Sequence, residues 1–135
     1  LLRQLVVERD EAVVLDMEAG VEHIGRATAQ HVDVMLIVVN ANMKSLETAK
    51  HIHDLSSKAN LKQLFLVGNK IEDLKQKETV EEFAGANSLK ILDFVPFDQK
   101  VVEAEMLGKT PLRYKECAAL HAIEGIAEKL MANAA

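Results

Sequence analysis

The sequence predicts an α/β fold: a parallel sheet with helices on both faces, built as a single segment over 1–135. Two observations carry this. Apolar runs recur at Ala12–Leu15, Val34–Val39 and Leu64–Val67, and Ile91–Val95 repeats the pattern around Asp93, as strands covered on both faces require. Between them lie stretches with helical spacing, which gives the order β-α-β-α-β-α-β-α-α and, through right-handed crossovers, a parallel sheet. Each apolar run ends in a polar or glycine-bearing loop, where such sheets place their ligands.

Element by element, Leu1–Glu8 reads as the last turns of a helix and Arg9-Asp10-Glu11 as a charged turn before the strand Ala12–Leu15. Val21–Gln30 reads as a helix carrying His23, Ile24 and Ala27, with His31 just beyond it. After the strand Val34–Val39, Asn40-Ala41-Asn42 turns the chain. Ser45 is then the predicted N-cap of a helix Leu46–Lys58, whose apolar residues Leu46, Ala49, Ile52 and Leu55 share a face. The strand Leu64–Val67 is closed by Gly68-Asn69-Lys70. Thr79 with Glu82 forms a capping-box pattern for the helix ending near Gly85. Pro96-Phe97-Asp98 leaves the strand Ile91–Val95, and helices follow over about 99–107 and 113–131.

The length of 135 residues suits one domain with a usable core. Sixteen basic against twenty-one acidic residues give a net charge of −5 without a basic stripe, which argues against a nucleic-acid surface. No apolar run approaches a membrane span, so no membrane partner is expected. The single cysteine, Cys117, excludes an internal disulfide framework and suits a reducing cytoplasm. The opening Leu1-Leu2-Arg3, without methionine or a signal-peptide layout, reads as an internal start in a longer protein.

The most informative stretch is Ala12–His23, where an apolar run ends in Asp16 and Gly20 follows four residues later, at the start of the next helix. A carboxylate at the carboxyl end of a buried strand can reach a magnesium ion, and a glycine lets a backbone N–H approach a terminal phosphate. The other reading of Asp16 is an N-cap. A phosphate loop, G-x-x-x-x-G-K-[ST], is missing: before Gly108-Lys109-Thr110 the required glycine position holds Glu103, and Pro111 follows. Gly108 therefore reads as a helix C′ residue.

Together these residues resemble the P-loop ATPase superclass that includes the septum-site regulator MinD, the partition ATPases and the arsenite-pump ATPase. The resemblance runs through Asp16-Met17-Glu18-Ala19-Gly20, Val39-Asn40-Ala41-Asn42, Val67-Gly68-Asn69-Lys70 and Val95-Pro96-Phe97-Asp98, with the closing Gly108-Lys109-Thr110-Pro111. Val21-Glu22-His23 after the switch glycine, with Arg26 and Thr28-Ala29, is similar to the CooC-type ATPases, which assist nickel insertion into carbon monoxide dehydrogenase. The resemblance implies the C-terminal part of a P-loop NTPase fold (Rossmann-like, three-layered) and ATP or ADP with Mg²⁺ as cofactors. It further implies a homodimer with a client metalloenzyme, and nickel held by residues outside this chain. By the same resemblance Asp16 holds Mg²⁺, and the Gly20 amide senses the γ-phosphate. Asn69, followed by Lys70, meets the adenine edge, and Pro96, Phe97 and Asp98 border the base.

Bland readings stand beside these. Glu18 and Glu22 can be solvated carboxylates near a helix N-terminus, and His23 has no second ligand at a suitable spacing. His51 and His53, two apart on a helix, point to different sides. Cys117 and His121 share a helical face at i, i+4, yet a buried thiol beside an interfacial histidine fits equally simple rules. Asn69-Lys70 can be a plain strand-end turn. A MinD/partition-like regulator and a non-catalytic α/β binding module remain alternative functions; the weakly charged end Ile126–Ala135 lacks the basic amphipathic character of a membrane anchor.

Overall fold

The computed structural model describes residues 11–17, 32–59 and 61–134. The elements run β1 (Val34–Val39), α1 (Met43–Lys58), β2 (Gln63–Ile71), α2 (Leu74–Ala86), β3 (Ile91–Pro96), α3 (Gln99–Met106), a 3-10 turn (Pro111–Arg113) and α4 (Ala118–Ala134). The strands form one parallel sheet in the order β1-β2-β3. The α/β class and the parallel sheet are as the sequence predicts. The helices expected over Leu1–Glu8 and Val21–Gln30 lie outside the described residues.

Strand alternation sorts the core into two layers. Ile37, Val39 and Leu66 point toward α1 and α2, packing with Leu46, Ala49, Ile52, Val80 and Ala84. Val67 and Val95 point the other way, toward Cys117, Ala119 and Ile126 of the α4 segment. Leu46, Leu66 and Val80 are fully buried. Each such side chain contributes about 1.5–3 kcal/mol relative to exposure, so the helices are held by their apolar faces rather than by propensity.

The structure moves several predicted boundaries. The run Ala12–Leu15 forms no strand: residues 11–17 are exposed, with Val14 at 91%. Its apolar character predicts burial between sheet neighbours, but a strand needs a partner to bond, and none of the described strands pairs with it. Helix α1 starts earlier than predicted because Asn42, not Ser45, is the N-cap, its Oδ1 accepting the Ser45 amide at 2.9 Å. The Ser45 hydroxyl instead accepts the Asn40 amide at 3.1 Å. Helix α2 is capped by Asp73, which accepts the Gln76 amide at 2.7 Å, while the Gln76 side chain accepts the Glu72 amide. Thr79, the predicted cap, lies inside the helix and donates to the Lys75 carbonyl. The long helix expected from 113 becomes the 3-10 turn and the later α4.

The C-termini of α2 and α3 end in the same motif. After α3, Gly108 at φ +61° donates to the Glu105 carbonyl and Lys109 to the Ala104 carbonyl, as Gly108-Pro111 predicts. After α2, Ser88 adopts φ +56°, and Ser88 and Leu89 donate to the Gly85 and Ala84 carbonyls, which seats Leu89 in the core. A serine there carries a Cβ that crowds the carbonyl oxygen. Ser88→Gly is therefore expected to raise stability by about 0.5–1 kcal/mol, measured by urea unfolding. An unchanged or lowered midpoint would remove the left-handed cap from the account.

Gly68 has a packing reason rather than a conformational one. A Cβ there would stand 2.5 Å from Cδ1 of the Phe94 ring on the neighbouring strand. Gly68→Ala is expected to cost about 1–3 kcal/mol through overpacking, and Phe94→Leu in the same chain to recover part of that loss in a double-mutant cycle. Additive losses would show that the ring is not what excludes the methyl group.

Candidate functional site

The described strands open their carboxyl ends onto one side of the sheet. There stand Asn40 after β1, Asn69-Lys70 at the end of β2, and Pro96-Phe97-Asp98 at the end of β3. The sequence separates the last two groups widely, and the sheet brings them together. Ile71 pairs with Pro96, and the Phe97 amide donates to the Ile71 carbonyl at 2.9 Å.

The expected turn at Gly68-Asn69-Lys70 is instead part of β2. Pairing runs from Gly68–Phe94 to Ile71–Pro96, so Asn69 and Lys70 together oppose the single residue Val95. This is a bulge, and Lys70 takes it up at φ +53°, a left-handed conformation uncommon outside glycine. The extra residue rotates the strand end, leaving Asn69 half-buried and Lys70 exposed. Phe97 lies beside them as a 41% exposed aromatic.

Asp98 is the N-cap of α3, and its role is wider than bordering a ligand. Oδ1 accepts the Lys100 amide at 2.9 Å, while Oδ2 accepts the Ala119 amide in the first turn of α4 at 3.4 Å. One carboxylate thus joins the N-termini of two helices, both favourable places for negative charge. The Lys100 amide first, then the Cys117 thiol and the Ala119 and Ala118 amides, hold its pKa below the ordinary carboxylate value against the opposing effect of desolvation. Its lone pairs are largely committed to these donors.

Asp16 lies in the exposed segment 11–17, apart from the β-strands, and Gly20 lies outside the described residues, as do Glu18, Glu22 and His23. Cys117 is fully buried against Asp98, whereas His121, one turn on, is exposed, so the i, i+4 pair does not converge on a metal. His51 is exposed and His53 half-buried, on different sides of α1 as their spacing requires. Among the described residues no three His, Cys, Asp or Glu side chains gather where they could hold a metal ion. Asp16 alone offers too few ligands for Mg²⁺, and the described residues offer no glycine-rich cradle for a triphosphate.

The strand ends place polar and apolar groups near one another. Asn69 supplies an amide able to donate and accept at once, Phe97 and Pro96 an apolar wall, and Lys70 a cation on a flexible stem. Sequence reasoning missed the second role of Asp98, because its partner at Ala119 is twenty-one residues away. The N-cap spacing Asp98-x-Lys100 was the available signal.

The double cap gives a pH dependence. A carboxylate whose folded pKa is depressed contributes stability that is present above its unfolded pKa and lost as pH falls through the folded value. Asp98→Ala is expected to lower the thermal midpoint at pH 7. The gap to the unsubstituted chain should close as pH is taken down through and below 3.8, the ordinary value. A gap that stays constant to pH 2 would show that charge at Asp98 does not hold the two helices.

No protein-family model matches the chain. Among curated proteins, an uncharacterised ATP-binding protein of Methanocaldococcus jannaschii is 45% identical over 112 residues, covering 81% of this chain and 42% of that protein. A second ATP-binding protein of that organism is 32% identical over 136 residues, covering 96% of this chain and 53% of its own length. The carbon monoxide dehydrogenase accessory protein CooC of Rhodospirillum rubrum is 33% identical over 108 residues, covering 80% and 40% respectively. Among solved structures, the MinD cell division protein of Aquifex aeolicus superposes with a TM-score of 0.66 at 22% identity, over 77% of this chain and 46% of that one. That likeness is one of fold. The chain spans about half the length of the curated relatives it matches.

Proposed function

The chain belongs to the CooC/MinD-type P-loop ATPases, and from that premise we propose that it forms the base-binding side of an ATP site. The protein concerned would be an ATP-dependent metallochaperone that assists nickel insertion into carbon monoxide dehydrogenase. The observation that carries the nucleotide part is the junction of Asn69-Lys70 with Pro96-Phe97 through the Ile71–Pro96 pairing. The metallochaperone part is supported by the likeness to CooC.

On this reading Asn69 offers its carbonyl to the exocyclic amine of adenine and its NH₂ to a ring nitrogen. Lys70 lies over the base with its methylene stem, and Phe97 with Pro96 excludes water from the opposite side. Asp98 acts as a positioning residue: by tying α3 to α4 it fixes the loop that carries Phe97. Asp16 would contribute one ligand to Mg²⁺ and the Gly20 amide one donor to the γ-phosphate. Both tasks depend on a phosphate loop, which this sequence does not contain. Catalysis of phosphoryl transfer rests on charge positioned around the γ-phosphate, so no hydrolytic step is assigned to these residues alone. Homodimerisation, a client metalloenzyme and a cytoplasmic site of action belong to the same proposal. Among the described residues no helix is long and apolar enough to cross a membrane.

The reading separates base recognition from phosphate recognition, and the two are measurable apart. Adenosine is expected to bind the 135-residue chain weakly, with a Kd on the order of millimolar, shifting the NMR signals of the Asn69 side-chain amide and the Phe97 ring. ATP should gain less than about tenfold over adenosine, since the triphosphate meets no cradle. Asn69→Ala should abolish the shifts without changing the melting temperature. Saturable micromolar ATP binding, or adenosine shifts that leave Asn69 and Phe97 untouched, would overturn the assignment.

A further inference from the structure

The side of the sheet away from the strand carboxyl ends carries an open cleft of about 350 Å³, between the last turns of α1 and the amino ends of β2 and β3. Its volume falls in the lower range of small-ligand sites. His53 lines it from α1, Leu61, Lys62 and Leu64 from the approach to β2 and its first residues, and Ser88 and Lys90 from the turn before β3. The chain carries a net charge of −5, yet no aspartate or glutamate lines this cleft. Two features of the lining are costly for folding alone. Ser88 holds φ +56°, where glycine would be less strained. Nδ1 of His53 is buried without a hydrogen bond, with a carboxylate oxygen of Asp54 3.6 Å away. Strained residues and unsatisfied polar atoms gather at binding sites more than elsewhere in a fold.

We propose that this cleft binds a small organic oxyanion, its charged group met by Lys62, Lys90 and the Ser88 hydroxyl and its apolar body lying on Leu61 and Leu64. The inference is independent of the nucleotide reading, since the cleft and the junction of Asn69 with Phe97 lie at opposite ends of the strands. Two ammonium groups and a hydroxyl are donors that suit a phosphoryl or carboxylate group, and the cleft offers no carboxylate to repel it.

Helix C-termini also face this end of the sheet, and open carbonyls there would oppose an anion. Here they are closed by their own chain. The Ala59 amide donates to the Ser56 carbonyl, and the Asn87, Ser88 and Leu89 amides donate to the carbonyls of Phe83, Gly85 and Ala84. Lys62 has a competitor in Asp33 at 3.6 Å, but both side chains of that pair are exposed, so an incoming anion can displace it.

NMR of the full chain titrated with phenyl phosphate tests this. The Ser88 and Lys90 amides and the His53 ring should shift together with a Kd on the order of millimolar. Phenol, which lacks the charge, should leave them unmoved. Benzoate separates the two head groups: the tighter binder of the pair identifies a phosphoryl or a carboxylate ligand. Lys90→Gln should weaken binding about fivefold, and Asp33→Asn should tighten it about twofold by freeing Lys62. Ser88→Gly is the sharpest variant, because it is expected to stabilise the fold while weakening the anion about threefold through loss of the hydroxyl. Signals at Ser88 and Lys90 that neither anion moves, or that phenol moves equally, overturn the proposal. So does an affinity unchanged by both Lys90→Gln and Ser88→Gly.

Discussion

The central strand β2 is the constraint on which the rest depends. Among the described elements it is bonded on both edges, to β1 along its first six residues and to β3 from Leu66 onward. Its side chains alternate between the two cores, Leu66 into one and Val67 into the other. Each helix layer is therefore anchored to the same strand. The close approach of Gly68 to the Phe94 ring fixes how β3 lies against it. The bulge that follows then decides which residues of β2 and β3 end side by side. Without it, Ile71 would no longer pair with Pro96 in the present register.

A polar residue at a strand end is ambiguous in a sheet of this kind, and Asp98 shows how the ambiguity resolves. Its position invites a ligand-binding reading. Its hydrogen bonds instead go to the first turns of two helices, where four backbone amides lack partners by construction. Asn69 differs in this respect: no side-chain hydrogen bond is assigned to it within the described structure, and it stands beside a strained Lys70. Strained backbone that packing alone does not require is commoner where a side chain must be aimed. The two residues belong to one loop cluster, yet Asp98 is committed to helix amides and Asn69 is not.

Much of the fold was legible because parallel strands leave an unmistakable trace: uninterrupted apolar runs at Val34–Val39 and Leu64–Val67 with helical spacing between them. Gly108 before Pro111 marked the end of α3 for an equally local reason, the left-handed turn that glycine tolerates. The misplacements have local causes as well. Ser45 and Thr79 are good capping residues, but Asn42 stands about one turn before Ser45 and Asp73 nearly two turns before Thr79, and they reach the first amides. Ala12–Leu15 has the composition of a strand and lacks a partner, since pairing is a property of two segments and composition of one. At the site, the proximity of Asn69-Lys70 to Pro96-Phe97 followed from strand order, while the bulge did not. A one-residue slip in register leaves the hydrophobic pattern of a doubly covered strand nearly unchanged.

The separation of base-binding from phosphate-binding groups that the proposed function implies has an energetic consequence. Contacts to a purine edge and face, made by one amide and one exposed aromatic, yield weak affinity, because binding must first offset the loss of translational and rotational freedom. Contacts to a triphosphate come from charges and backbone amides arranged around a glycine-rich loop, and they dominate affinity when present. In the proposed site, the groups on β2 and β3 would therefore serve to choose the base rather than to hold the nucleotide. Asp98 is coupled to the proposed site through the backbone: it caps α3 and holds the first turn of α4, and Phe97 immediately precedes it. Selectivity in such a site depends on helix capping as much as on the residues that touch the ligand.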